Sequence, residues 1–184
     1  MASKGPPGRL VAVMGPSGVG KDTLIAYARA RVDPQRVLFV HRYITRPAEA
    51  GGENHVSLTP AEFAARRAAR LMALAWQSHG LDYGIGSELD LWLRHGLTVV
   101  VNLSRAAWSD AARRYPDLLG VLVTASREVL AQRLLARGRE SAAEIAERLK
   151  HDVALPDHRA IHRLDNSGPI ATAGAAFVRL ITPR

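Results

Sequence analysis

Cysteine is absent from the 184 residues, which removes disulfides, thiolate metal ligands and thiol redox chemistry and fits a reducing compartment without requiring one. Long apolar runs are missing too. No stretch approaches the roughly 20 residues of a membrane-spanning helix, and the run after "MASKGPPGR" is too short for a signal-peptide core, so a cytoplasmic location is expected. Aromatic residues make up only 5% of the chain, and no stacking motif, polybasic run or zinc knuckle of the kind nucleic-acid modules carry is present. Acidic residues are outnumbered, 17 against 25 lysines and arginines, for a formal net charge of +8. This excess favours anionic partners. The basic residues are nearly all arginine and are scattered along the chain, which favours small phosphorylated molecules, gripped by planar guanidinium forks, over nucleic acid or a membrane surface. Oligomeric state is left open.

With 47% hydrophobic and 23% charged residues, the composition is that of one globular domain. It is expected over residues 9–184, after a mobile N-terminus at 1–8. "RLVAVM" reads as a short buried strand, followed by a glycine loop and by "KDTLIAYARARV" with helical spacing of Leu24, Ile25 and Ala28. "VLFVHRY" (37–43) reads as a second strand and 45–54, with Gly51 and Gly52, as a loop. Thr59, Pro60 and Glu62 form a capping-box helix start, and that helix is expected to run to about Arg70. "LMALAW" is a further apolar stretch, and "ELDLWLRHG" is a short helix begun by Ser87 and closed by Gly96. "LTVVVN" is continuously apolar and β-branched, as a strand buried on both faces should be. A helix at about 106–115, the strand "LLGVLVT", helices at 126–137 and "SAAEIAERLKH", the strand "AIHRLDN" and a last helix "PIATAGAAFVRLI" continue the alternation. Strands alternating with helices imply an α/β fold, a parallel sheet covered on both faces.

The chemistry begins at "GPSGVGKDT". Gly15, Gly18 and Gly20 allow successive backbone N–H groups to turn inward on phosphate oxygens, the helix starting near Lys21 adds its positive dipole end, and Lys21 supplies a point charge. Gly15, Pro16, Ser17, Gly18, Val19, Gly20, Lys21, Asp22 and Thr23 are the expected ATP-binding segment. Asp22 stands where a magnesium-binding Ser or Thr is usual. It reads either as an acidic residue suited to a helix N-terminus or as a hard oxygen ligand for Mg²⁺, directly or through water, with Thr23 as a neutral substitute; the metal role is preferred. Arg42, Arg46, Arg105, Arg137 and Arg139 fall in loops at the expected carboxyl edge of the sheet, where ligands of open α/β folds bind. Singly each reads as a surface arginine, and together they are able to surround two phosphorylated ligands. His158 and His162 lack a carboxylate to complete a helical ligand motif and read as surface residues; Trp76 and Trp92 read as core.

"GPSGVGKD", "HRYITR", "GGENH", "GLDYGIG", "ELDLWL", "VVVNLSRA" and "RGRESAAEIAERL" together span about residues 9–166. In this combination the chain resembles the guanylate kinase-like branch of P-loop kinases, and within it the ribose 1,5-bisphosphate phosphokinases of phosphonate utilisation, which also carry aspartate after the lysine. The resemblance implies a P-loop NTPase fold with an acceptor-binding region at about 42–90 and a lid at about 137–148. It implies Arg42, Arg46 and Tyr83 as acceptor-phosphate ligands, with Asn102 and Arg105 also on the substrate side, and Lys21, Arg137, Arg139 and Arg148 as the catalytic cations at the ATP phosphates. The glutamate that reads guanine in guanylate kinases falls at Leu74, and an acidic residue after the central strand falls at Asn102, neither of which accepts from guanine N–H groups as a carboxylate does. The implied reaction is transfer of the ATP γ-phosphoryl group, with Mg²⁺, to the 1-phosphate of ribose 1,5-bisphosphate, giving 5-phosphoribosyl 1-diphosphate. A guanylate or other nucleoside monophosphate kinase is the alternative, and a non-catalytic guanylate kinase-like interaction module ranks below it because the glycines and Lys21 are kept.

Overall fold

The strand β1 (Arg9–Met14) sends Leu10, Ala12 and Met14 into one apolar cluster and Val11 and Val13 into another. This is the two-fold alternation of a strand buried on both sides. The computed structural model describes residues 8–50, 53–136, 138, 144 and 160–183. The lid at 137–148, with the expected helix "SAAEIAERLKH", lies outside the described residues except at Gly138 and Glu144, as does the N-terminus before Gly8.

Beside β1 run β2 (Val37–Phe39), β7 (Thr98–Asn102), β8 (Leu119–Thr124) and β9 (Ile161–Asp165), in the order β2-β7-β1-β8-β9, every pair parallel. Side chains from α1 (Lys21–Arg29), α5 (Arg127–Ala136) and α6 (Ile170–Ile181) fill one face: Leu24, Ala28, Leu130, Ala173, Phe177 and Ile181 pack with Val11, Val13 and Val121. On the other face lie α3 (Glu88–Arg94) and α4 (Trp108–Arg114), through Leu89, Trp108 and Ala111. The expected parallel sheet with helical cover on both faces is what forms.

A second sheet was not visible in the sequence. Its order is β4-β3-β6-β5, from β3 (Tyr43–Ile44), β4 (Val56–Ser57), β5 (Met72–Ser78) and β6 (Leu81–Gly86). The β3–β4 pair is parallel and the β3–β6 and β5–β6 pairs are antiparallel. The expected single strand "VLFVHRY" is therefore corrected: Val37–Phe39 pairs with β7 in the main sheet, whereas Tyr43–Ile44 pairs with β6 in the second. The intervening His41 and Arg42 are carried across the gap between the sheets. Ala73, Leu74 and Ile85 of the second sheet share the apolar cluster of Leu10, Met14 and Val101.

The helix α2 (Pro60–Ala68) starts as expected. Glu62 N donates to Thr59 Oγ1 (3.2 Å) while Thr59 N donates to Glu62 Oε2 (2.8 Å), a complete capping box. It ends earlier than Arg70, which takes a left-handed φ of 58°. The expected helix at 106–115 begins with a 3-10 turn at Arg105–Ala107 before α4.

Candidate functional site

The site grows from strand register. Because β1 and β7 are parallel and Val13 pairs with Asn102, the glycine loop leaving β1 and the turn leaving β7 emerge side by side at the carboxyl edge; Leu103 N donates to Val13 O at 2.9 Å. Two glycines are required by the loop's shape. Gly15 has φ 148° and a Cβ there would lie 2.5 Å from the Val123 carbonyl oxygen; Gly20 has φ 92° and a Cβ there would lie 2.6 Å from Asn166 Nδ2. Val19, fully buried between them, anchors the loop. Its carbonyl accepts from Asn166 Nδ2 (2.8 Å) and from Arg133 Nη1 (3.2 Å), and Arg133 Nη2 donates to Asn166 O (2.9 Å). Residues from α5 and from the end of β9 thus hold the phosphate loop from behind. Neither carried any motif in the sequence.

Lys21, the first residue of α1, turns back over the loop and donates to Gly15 O (2.8 Å) and Pro16 O (3.0 Å). Its pKa is lowered to about 8, chiefly because burial disfavours the ammonium; the Arg42 and Arg105 cations push the same way, while Asp22 and Glu53 oppose them. Arg105 therefore stands near Lys21, in the turn after β7. The N-terminus of α1 has no side-chain cap, since Gly20 occupies that position; its first N–H groups face the loop, the arrangement that binds phosphate. Ser17, Asp22 and Thr23 are exposed.

Across from this loop, Arg42 and Arg46 flank β3. Arg42 Nε donates to Glu53 Oε1 (2.7 Å), and the guanidinium lies 4.9 Å above the Tyr83 ring, which stacks in turn on Trp76 at 5.6 Å and 9°. Tyr83 is buried, so its ring is a platform that sets the height of Arg42. His55 bridges the loop: its Nδ1 lies 3.3 Å from Arg46 Nη2 and 3.1 Å from the Glu53 carbonyl oxygen, and its Nε2 lies 3.1 Å from the Arg46 carbonyl oxygen. The Arg46 Nε is buried and lacks a hydrogen-bond partner.

Asn102 joins the two halves. It is buried, 8% exposed, and its Nδ2 donates to Glu53 Oε2 (3.0 Å) and Asp22 Oδ1 (3.3 Å). Leu74 is buried in the main apolar cluster. Among the described residues no group of three His, Cys, Asp or Glu side chains could hold a metal by itself. Asp22, exposed and with acceptor capacity beyond its Asn102 bond, suits instead an ion that keeps several waters and is shared with nucleotide phosphates, as Mg²⁺ is. Glu53, Arg133 and Asn166 are the site residues that sequence reasoning missed; Glu53 stood only inside the quoted segment "GGENH". Arg137, Arg139 and Arg148 lie outside the described residues. His162 is exposed on β9, and Trp76 and Trp92 pack half-buried against the core.

Asn102 thus ties Asp22 of the phosphate loop to Glu53 and, through it, to Arg42, and Arg42 and Arg105 both act on Lys21. No family model matches the sequence. Ribose 1,5-bisphosphate phosphokinase PhnN from Desulfomicrobium baculatum is 53% identical over 175 residues, 94% of each chain. The protein of that name from Burkholderia mallei is 52% identical over 94% of this chain and 95% of its own, and that from Chromobacterium violaceum is 51% identical over 94% and 92%. Among solved structures, guanylate kinase from Anaplasma phagocytophilum superposes with a TM-score of 0.67 at 14% identity, over 95% of this chain and 84% of its own. A gluconokinase from Sinorhizobium meliloti 1021 gives 0.52 at 21% identity, over 95% and 94%. At these identities the structures speak for the fold, a P-loop kinase fold.

Proposed function

As a member of the ribose 1,5-bisphosphate phosphokinase family, the chain is a kinase, and we propose that its acceptor is ribose 1,5-bisphosphate. The γ-phosphoryl group of ATP passes to the 1-phosphate of the sugar, giving ADP and 5-phosphoribosyl 1-diphosphate. The attacking phosphate oxygen is already anionic, so no general base is needed. That agrees with the cations gathered here, Lys21, Arg42 and Arg105. The observation that supports the reading is the gathering of Arg42 and Arg105 around Lys21 of the phosphate loop, tied together by Asn102 between Asp22 and Glu53; by resemblance, apolar Leu74, in the core, stands for the residue with which guanylate kinases read guanine.

Lys21 and the loop N–H groups receive the ATP phosphates and the charge that develops between donor and acceptor; Arg42 and Arg46 hold the sugar phosphates in line, with Arg105 on the same substrate side. By resemblance, Arg137, Arg139 and Arg148 remain the proposed lid cations. Mg²⁺, when bound, neutralises phosphate charge, and Asp22 is its proposed protein ligand, with Thr23 beside it. Asp22→Asn keeps the shape and the helix but weakens the oxygen, so the Mg²⁺ concentration for half-maximal rate is expected to rise about tenfold, the effect of losing one charge-assisted contact. An unchanged magnesium titration would leave Asp22 only its helix-terminal role.

The reading is tested by coupled ADP release with ribose 1,5-bisphosphate and with GMP as acceptors. The ribose bisphosphate is expected to be favoured in kcat/KM by at least about 10³, since a site lacking the guanine partners leaves that base unpaired. Preference for GMP would overturn it.

A further inference from the structure

A carboxylate is an odd neighbour for two polyanions. Lys21, Arg42, Arg46 and Arg105 all carry donors only, yet Glu53 sits among them, with a side chain just 13% exposed. It is also held with unusual care. Arg42 Nε and Nη2 both approach Oε1, while Oε2 takes the Nδ2 hydrogen of Asn102, itself buried. Arg42 immediately precedes β3, an inner strand of the second sheet, and Asn102 comes from the end of β7 in the first, so the plane of the carboxylate is fixed from two elements.

Three roles are open to such a group. Shared metal binding with Asp22 does not fit, because the Asn102 amide reaches toward both carboxylates as a donor in the space where a bridging ion would need oxygens. General base catalysis is not required by an ionised phosphate nucleophile. Hydrogen-bond acceptance fits. A carboxylate accepts about four hydrogen bonds, and Arg42 and Asn102 leave capacity to spare. Between its two phosphates the proposed acceptor carries donors of one kind, the ring hydroxyls, and acidic side chains bind ribose hydroxyls in other nucleotide sites.

We propose that Glu53 is the hydroxyl-reading residue of the acceptor site: its carboxylate, oriented by Arg42 and Asn102, accepts hydrogen bonds from the 2- and 3-hydroxyls of the ribose ring. The inference rests on ribose 1,5-bisphosphate being the acceptor. It makes Glu53 a specificity residue whose charge Arg42 compensates, so that the recess tolerates a carboxylate without repelling phosphate.

The test compares ribose 1,5-bisphosphate with its 2-deoxy and 3-deoxy analogues by ADP release, in the wild type, Glu53→Ala and Glu53→Gln. The wild type is expected to favour the ribose form over at least one analogue by about 10- to 100-fold in kcat/KM, the range of a hydrogen bond to a charged group. Glu53→Ala brings that ratio to within about threefold of unity, because the ribose form loses more than the deoxy forms do. Glu53→Gln, which keeps the shape and one neutral acceptor, gives an intermediate ratio, and it carries the test if the alanine variant does not fold. A wild type that accepts all three sugars equally overturns the proposal. So does an unchanged ratio in folded variants that lose activity on every sugar alike, the behaviour of a mere counter-ion to Arg42. No turnover of ribose 1,5-bisphosphate by the wild type is a different failure: it removes the acceptor assignment itself, and this inference with it.

Discussion

Lys21→Ala is expected to lower kcat by about 10³ or more, the scale of losing a preorganised positive donor at developing charge, while shifting Tm by no more than about 3 °C. The two halves of that expectation have separate causes. In the free protein the Lys21 ammonium is partly buried and rests on two loop carbonyls, Gly15 O and Pro16 O. Its pKa is pulled down to about 8, first by burial and then by Arg42 and Arg105; the fold therefore disfavours this charge, and a neutral replacement relieves that while losing two hydrogen bonds. Turnover has no such compensation, because phosphate binding and transfer need the cation. The same shift gives a pH signature. The competent form is the protonated one, fully present well below pH 8 and lost as pH rises through the free-protein pKa. Accordingly kcat/KM for ATP should fall about tenfold per pH unit above 8, whereas kcat at saturating ATP holds to higher pH, since bound phosphate raises the lysine pKa again. A stopped assay across pH 6.5 to 10 measures both. A Lys21→Ala variant that keeps wild-type turnover, or a wild type flat in kcat/KM to pH 10, contradicts this role.

What the sequence made legible follows from how local each signal is. The core strands β1, β7 and β8 are continuous runs of apolar and β-branched residues, and burial on both faces writes itself into every position. The second sheet leaves no such trace. Its strands β3 and β4 are two residues each, and β6, "LDYGIG", carries two glycines, which weaken a strand pattern. Gly84 is there for packing: a Cβ would meet Met72 Sδ at 2.8 Å and the Phe63 ring at 3.2 Å, and one on Gly86 would meet the Glu88 carboxylate. Tertiary closeness overrode local propensity. The site divides the same way. The phosphate loop is a contiguous motif and was read directly, aspartate included. Glu53 meets Asn102 across 49 residues, Arg133 meets Val19 across 114 and Asn166 meets Val19 across 147, and no spacing rule within one chain segment marks such partners. Asn102 was singled out for what it cannot read, a guanine base; the structure gives it a further part, as the amide that ties the loop aspartate to the acceptor recess.

Arg42→Ala should damage two things that a second substitution separates. Its guanidinium lies over the Tyr83 ring and near Lys21, and it is the proposed ligand of the sugar phosphate; kcat/KM for the sugar bisphosphate is expected to fall about 10²- to 10³-fold, with the KM for ATP little changed. The fold suffers as well, because Glu53 loses its counter-ion. With side-chain exposures of 15% and 13% the pair is mostly but not wholly desolvated, so leaving the carboxylate alone should cost about 1–3 kcal/mol, less than the loss of a fully buried pair. For a chain of this size that is a fall in Tm of several degrees. Adding Glu53→Gln to Arg42→Ala removes the stranded charge while keeping the Asn102 contact, and should restore most of that Tm. It should restore none of the activity, since the phosphate still lacks its guanidinium. Arg42→Lys is the complementary probe: the charge near Glu53 survives but the planar fork does not, so stability should stay close to wild type while acceptor kcat/KM drops by at least about tenfold. Thermal melts and initial rates on these variants distinguish the cases. If Arg42→Ala melts like the wild type, the ion pair does not stabilise the fold; if the double variant regains turnover, Arg42 is a structural partner of Glu53 and not a phosphate ligand.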